Sequence, residues 1–497
     1  MRPKYDPETG CVVPEAGNWP VDPQEDQELQ DDRLWIDGCF DFFHHGHAGV
    51  MLQSRRLGKE LYVGLHSDED IRANKGPTVM TLAERIAAVD ACRFSTKCVP
   101  RAPYVTSIPW ISHYGCKFVV HGDDITSDAS GNDCYRFVKK AGRMKIVSRT
   151  PGISTTDLVG RMLLCTKSHF IKNLTDAMAG REGRGSEDER LANGQMMMAR
   201  MKDYAAASNG LDRLVEIFSF KPKHRPVERR RSSVRGTLSR TDSDAGEARR
   251  SHDSCRGTFD KMVDGVPPRP GQRIVYVDGG FDLFSSGHIA FLQTVALAEE
   301  ALGTERGWFT PEAQAQRIAD TGSDYGPTYV VAGVHDDDTI NYHKGLNYPI
   351  MNIFERGLCV VQCAYIHGVV FNAPHVPNKS YLSSLHFITS STRIPDAVYH
   401  GRTAGMPSVH NTDPYADAKT MELFVETLPH RFQNVSSAHI VQRILDNRQQ
   451  YEERQRKKAG KAGNEQEMHK LEKDEQKMQL ELKRQESLKM VERQFGA

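Results

Sequence analysis

Short apolar runs alternate with amphipathic stretches along two long sections of the chain. Leu34-Trp-Ile reads as a short buried strand, Ala48 to Leu57 as a helix, and Leu61-Tyr-Val-Gly-Leu as the next strand. Leu82 to Cys92 reads as a helix, and Lys117-Phe-Val-Val-His as a third strand. Strands that alternate with helices predict βαβ units, and so a parallel sheet flanked by helices on both faces. In such sheets ligands sit at the carboxyl ends of the strands.

The same pattern then returns. Leu34-Trp-Ile-Asp-Gly-Cys-Phe-Asp-Phe-Phe-His-His-Gly-His47 is echoed by Val275-Tyr-Val-Asp-Gly-Gly-Phe-Asp-Leu-Phe-Ser-Ser-Gly-His288, at an offset of 241. Tyr62-Val-Gly-Leu-His-Ser-Asp68 returns as Val331-Ala-Gly-Val-His-Asp-Asp337, and Lys75-Gly76 as Lys344-Gly345, both at an offset of 269. The jump from 241 to 269 places an insertion of about 28 residues in the second copy, and the polar stretch Gly303 to Pro327 fits it. Glu84-Arg85 returns as Glu355-Arg356, Ala102-Pro103 as Ala373-Pro374, and His121-Gly122 as His400-Gly401. Matches in the same order identify a tandem duplication of one domain.

The pattern divides the chain into a first domain over 31–180, a polar basic linker over 181–271, a second domain over 272–447 and a charged helical tail over 448–497. Lys221 to Gly257 carries 11 Lys/Arg against 5 Asp/Glu and reads as partly disordered. Leu211 to Phe218 is apolar at helical spacing, suited to docking on a domain. Arg229-Arg-Arg-Ser-Ser-Val-Arg235 resembles a site for basophilic kinases, so phosphorylation of Ser232 or Ser233 is left open. In the tail, Met468, Leu471, Met478 and Leu482 are heptad-like, but Glu475 breaks the seam.

Net charge is zero, with 65 Lys/Arg and 65 Asp/Glu, which argues against a chain built to coat nucleic acid. No basic-then-apolar leader and no uncharged apolar run of membrane-spanning kind stands out, so the cytosol is the expected compartment. Ten cysteines show no CxxC pair and no zinc spacing, and read as buried free thiols.

Chemistry concentrates at the first strand-to-helix junction. His44 and His47 flank Gly46 where a helix should start, and a helix start offers free N–H groups and a positive dipole end to a phosphate. Arg149-Thr-Pro-Gly-Ile-Ser-Thr-Thr-Asp157 places Ser154, Thr155 and Thr156 at a second helix start, with Arg149 as a fixed cation. Two anion-binding helix starts in one domain point to a polyphosphate. Lys75 adds a cation in a loop after a strand. There is no GxxxxGK[ST], GxGxxG or GxSxG segment.

Together the HxGH block, Lys75, Glu84-Arg85 and the Arg-Thr-x-Gly-Ile-Ser-Thr-Thr block resemble those of the cytidylyltransferases of the HIGH nucleotidyltransferase superfamily. The tandem arrangement with a degenerate second copy resembles the ethanolamine-phosphate branch. The resemblance implies an α/β fold of two tandem Rossmann-like domains with parallel sheets. It also implies transfer of the cytidylyl group of CTP to phosphoethanolamine, giving CDP-ethanolamine and pyrophosphate, on the route to phosphatidylethanolamine. His44 and His47 would contact the triphosphate, and Lys75 would bridge the reacting phosphates. Arg149, Ser154, Thr155 and Thr156 would hold the leaving pyrophosphate, while Gly38, Phe40, Gly46 and Gly152 shape the backbone around CTP. Mg2+ would enter with the CTP phosphates, without a protein cage. A homodimer and contact with the endoplasmic reticulum surface are further implications.

Choline-type members follow Asp-Asp-Ile with Pro-Tyr, and that tyrosine walls a quaternary ammonium. Here the run is His121-Gly122-Asp123-Asp124-Ile125-Thr126-Ser127, so the wall is missing. A primary ammonium needs acceptors, and Asp41, Tyr104 and Asp123 are the candidates. Transferases of phosphocholine or glycerol 3-phosphate, and a non-catalytic nucleotide-binding scaffold, are the alternatives. In the second copy Ser285 replaces the first histidine, and Ala438 and His439 replace Thr156 and Asp157. Turnover is therefore expected in the first copy, with Gly287, His288, Lys344, Ser436 and Ser437 marking a remnant nucleotide site.

Overall fold

The computed structural model describes residues 4–223, 257–385, 394–402 and 413–454, with 456 and 478. Arg229 to Arg235 and the heptad-like tail positions Met468, Leu471 and Leu482 lie outside the described residues. A small antiparallel pair, β1 (Lys4–Tyr5) and β2 (Val12–Val13), precedes the first domain.

The first copy folds around five parallel strands: β3 (Gln30–Gly38), β4 (Glu60–Leu65), β5 (Lys97–Pro100), β6 (Cys116–Gly122) and β7 (Met144–Val147). Their order is β5-β4-β3-β6-β7, with the chain's first strand at the centre. Leu34, Ile36, Leu61 and Val63 are fully or almost fully buried, which explains the near-continuous apolar runs of these strands.

The remaining strands are β8 (Glu216–Pro222), β9 (Gly257–Val263), β10 (Arg273–Gly279), β11 (Thr328–Val334), β12 (Gly368–Phe371), β13 (Ala397–His400) and β14 (Phe424–Glu426). They form one sheet in the order β14-β13-β10-β11-β12-β8-β9. Its first five members repeat the first sheet, and β8 and β9 extend it. The expected insertion lengthens the second HxGH-type helix to Ser286–Glu305 and adds the helix Pro311–Thr321.

Two expectations are corrected here. Leu211 to Phe218 is not a docking helix, because β8 begins at Glu216 and pairs in parallel with β12. Glu216 is buried in that pairing, held by Lys261 and Tyr329, so the segment is committed to the sheet. Nor is 181–271 simply a linker. The helix Glu187–Tyr204, started by a capping box of Ser186 and Glu189, packs between the helix His45–Arg55 of the first copy and the helix Ile353–Val361 of the second, while β8 and β9 belong to the second.

The two copies meet across an approximate two-fold axis. Cys92 and Cys363 pair as an isolated antiparallel bridge. Arg93 donates its N–H to Gln362 O (3.0 Å) and Ala364 donates to Ala91 O (2.8 Å), a reciprocal exchange. Arg161 grips Glu355 at 2.7 and 2.8 Å, and Arg443 grips Glu84 at 2.9 and 2.9 Å. Glu84 and Glu355 are the equivalent third residues of capping boxes begun by Thr81 and Asn352. One hydrophobic cluster runs through both copies, from Leu34 and Val89 to Leu358 and Val361. The nine cysteines of the described residues are free thiols.

Candidate active site

The site lies at the carboxyl end of β3. The chain leaves Gly38 through Phe40 (φ 52°) and Phe42 (φ 50°), left-handed positions that non-glycine residues adopt only under local constraint. Phe281 (φ 48°) and Leu283 (φ 60°) repeat this in the second copy, so the bend belongs to the duplicated fold. Asp41 lies within the bend, and its carboxylate accepts N–H bonds from Val79 (3.0 Å) and Met80 (2.9 Å). Asp282 does the same for Ile350 (2.8 Å) and Met351 (3.0 Å). Asp41 therefore anchors the loop after Lys75, which corrects its expected place at the ammonium end.

His44 caps the helix His45–Arg55. Its Nδ1 accepts the N–H of Gly46 at 3.1 Å, so the neutral ring carries its proton on Nε2, the atom left to donate to a ligand. A Cβ on Gly46 would stand 2.8 Å from His44 Nδ1 and 2.9 Å from Ile153, which fixes glycine there. The rings of His44 and His47 stack with centroids 4.0 Å apart. Burial holds both imidazoles neutral: that of His47 is pushed down to about 3, with Arg149, His45 and Lys75 adding to the effect, and that of His44 well below its ordinary value. A triphosphate would meet neutral N–H donors in a field of nearby cations.

The second helix start converges on the same place. Ser154 caps the helix Thr155–Leu164, accepting from Asp157 N at 3.1 Å. Thr155 Oγ1 donates to Asp41 O at 3.2 Å, joining the two loops. Thr156 follows in the same turn, and Gly152 (φ 85°) provides the left-handed turn before it. Arg149 is half exposed, 3.5 Å from Asp124, and its N–H is accepted by Asp123 at 3.2 Å. That bond ties Asp123 to the anion loop. Its second carboxylate oxygen takes no part in that bond. Lys75 ends the helix Asp68–Lys75 and stands 5.7 Å from the ring of Tyr104, whose hydroxyl donates to Ser127 O at 3.4 Å.

Some contributors lie outside the motifs named above. Tyr204 donates to His45 O and presses on Gly49, bracing the histidine helix from the stretch read as linker. The Ser186-x-x-Glu189 box was the signal for that helix. Asp37 is buried and saturated by Trp35 Nε1 (2.9 Å), Thr106 Oγ1 (2.7 Å) and Tyr135 Oη (2.7 Å). Arg443, Tyr451 and Arg454 reach the Lys75 loop from the other end of the chain.

The second copy keeps the frame and fills the site. Ser285 Oγ donates to Val435 O at 2.8 Å, and a Cβ on Gly287 would stand 2.3 Å from that carbonyl oxygen. Lys344 donates to Ser437 Oγ at 3.1 Å. Ser436 caps the helix Ser437–Asp446, and His288 Nδ1 accepts from Ser285 N at 3.1 Å. Groups expected to hold phosphate are thus bonded to one another.

Among the described residues no helix is long and apolar enough to cross a membrane, and no cluster of three or more His, Cys, Asp or Glu could hold a metal ion. The family description "Cytidylyltransferase-like" matches residues 35–161. The chain is 34% identical over 429 residues to the ethanolamine-phosphate cytidylyltransferase of Mus musculus, covering 86% of this chain and 89% of that protein. It is 33% identical over 429 residues to the enzyme of the same name from Dictyostelium discoideum, covering 86% and 95%. It is also 35% identical over 164 residues to choline-phosphate cytidylyltransferase 2 of Arabidopsis thaliana, covering only 32% of this chain and 54% of that protein.

Proposed function

The chain belongs to the ethanolamine-phosphate cytidylyltransferase family, and on that premise we propose how its two copies divide the work. The first copy transfers the cytidylyl group of CTP to phosphoethanolamine. A phosphate oxygen of phosphoethanolamine attacks the α-phosphorus in line. The new P–O bond forms as the bond to the β-phosphate breaks, and pyrophosphate leaves. The nucleophile is already an anion, so no covalent intermediate or activated side chain is required.

The observation that carries this reading is the convergence of two helix starts around stacked, neutral His44 and His47, with Arg149 and Lys75 close enough to influence their charge. The Nε2 proton of His44, with the neutral ring of His47 stacked on it, would stabilise charge growing at the α-phosphate. Lys75 would bridge the reacting phosphates. Arg149 and the turn Ser154–Thr156 would hold the departing pyrophosphate, with Gly38, Phe40, Gly46 and Gly152 shaping the CTP pocket. Tyr104, beside Lys75, remains a candidate for the ammonium end.

Mg2+ is proposed as the counter-ion of CTP. Asp37 and Asp41 are each saturated by protein donors, so neither fits a protein-held ion and no step is assigned to one. The pairing of two copies within one chain already supplies a two-fold interface, so a homodimer would use another face. A cytosolic enzyme visiting the endoplasmic reticulum surface completes the proposal, since its product feeds a membrane lipid.

Pyrophosphate release from CTP with phosphoethanolamine or phosphocholine tests the substrate. Turnover with phosphoethanolamine, at least tenfold above phosphocholine, is the expected outcome (about 1.4 kcal/mol of discrimination). Equal turnover of both would defeat the argument from the missing aromatic wall.

A further inference from the structure

The loop Gly76–Met80 follows directly on Lys75 and leads to the next helix, Leu82–Asp90. From below, Asp41 fixes the N–H groups of Val79 and Met80. From above, three successive carbonyls are met by three side chains of residues 443–454. Arg454 donates to Pro77 O at 2.5 Å, Tyr451 Oη to Thr78 O at 3.0 Å, and Arg443 to Val79 O at 3.3 Å. Arg454 also stands 3.6 Å from the Asp41 carboxylate, and its stem lies 3.4 Å from where a Cβ on Gly76 would be. Tyr451 is 4% exposed.

The equivalent loop of the second copy is held differently. Arg161 meets Ile350 O at 3.0 Å and His169 Nε2 meets Pro349 O at 2.8 Å, mirroring Arg443 and Tyr451. Tyr348 O, the counterpart of Pro77 O, is instead satisfied within its own copy by Asn341 at 2.6 Å. The second copy thus holds that carbonyl itself, whereas the first copy depends on Arg454.

We propose that Tyr451 and Arg454 are positioning residues of the first active site, holding the Lys75 loop in its working shape from the far end of the chain. The inference rests on the cytidylyltransfer reading and assigns the second copy's exit segment a part in it. An arginine and a phenol bonded to adjacent carbonyls restrain the loop that follows Lys75, and the inferred route of their effect is through that lysine.

The test is a double-mutant cycle in the full-length chain. Wild type must first release pyrophosphate from CTP and phosphoethanolamine; if it does not, the functional reading fails before this one is reached. Arg454→Ala is then expected to lower kcat about tenfold in the wild-type background but less than about twofold in Lys75→Ala, because its effect passes through that lysine. Arg454→Lys should restore most of the loss. Tyr451→Phe, which keeps the ring and loses only the hydroxyl, should show the same non-additivity and serves if Arg454→Ala does not fold. His169→Ala, the mirror contact on the second copy's loop, should stay within about twofold of wild type. Unchanged kcat in both Arg454→Ala and Tyr451→Phe, or equal losses with and without Lys75, would overturn the proposal.

Discussion

The two copies share a frame down to single hydrogen bonds and part company at the ligand. Asp41 and Asp282 each take two backbone N–H bonds from the same loop, and Arg85 and Arg356 each thread a buried guanidinium to the carbonyls of Cys39 and His66 or of Gly280 and His335. Yet His44 has become Ser285, whose hydroxyl is committed to Val435 O, and exposed Lys75 corresponds to Lys344, which burial shifts downward and Ser437 engages. Losing phosphate-binding chemistry costs a fold nothing when the freed donors bond one another. Losing the frame would leave buried amides and charges without partners. The two copies therefore share the scaffold and differ at the site.

The largest effect that would sharpen this contrast is at the lysines. Lys75→Ala should lower kcat on the order of 100-fold, as expected when one preorganised cation is removed. Lys344→Ala should leave kcat within about twofold. Steady-state pyrophosphate release checks both, and comparable losses would break the comparison.

The interface should respond next. Arg161→Ala strands a nearly buried Glu355 and is expected to cost about 3 kcal/mol in denaturant unfolding. Arg443→Ala should cost less, because that arginine is about one-third exposed in its pair with Glu84. Equal costs would mean that the mirror pairs are energetically equivalent despite their exposure.

The smallest effect is with pH. Burial pushes His47 and His288 each down to about 3, against an ordinary 6.5. Below pH 6.5 the unfolded chain takes up protons that the folded histidines refuse. Stability is therefore complete above that pH and falls as pH drops toward 3. His288→Gln should reduce the loss between pH 7.5 and 5.5 by about 1 kcal/mol in denaturant titrations. An unchanged pH dependence would contradict a buried, neutral His288.

The repeat made most of this architecture legible. Apolar runs at Leu34, Leu61 and Phe118 became β3, β4 and β6, and the HxGH spacing placed the first helix start. What escaped has identifiable physical reasons. A run such as Leu211 to Phe218 is too short for periodicity to separate strand from helix, and only pairing with Gly368–Phe371 settles it. Asp41 looked like an ammonium acceptor because it is an acid beside the site. Its partners proved to be backbone amides, which every residue but proline carries and no motif marks. Arg454 meets Pro77 across 377 positions, and neither residue type signals the contact.

The central claim is that one copy reacts and the other supports it. Pyrophosphate release by His47→Ala and His288→Ala, each checked for an unchanged fold, tests it most directly. The account predicts a loss on the order of 100-fold or more in the first and turnover within about twofold of wild type in the second. A comparable loss in both, with both folds intact, would mean that the second copy takes part in the chemistry and would contradict it.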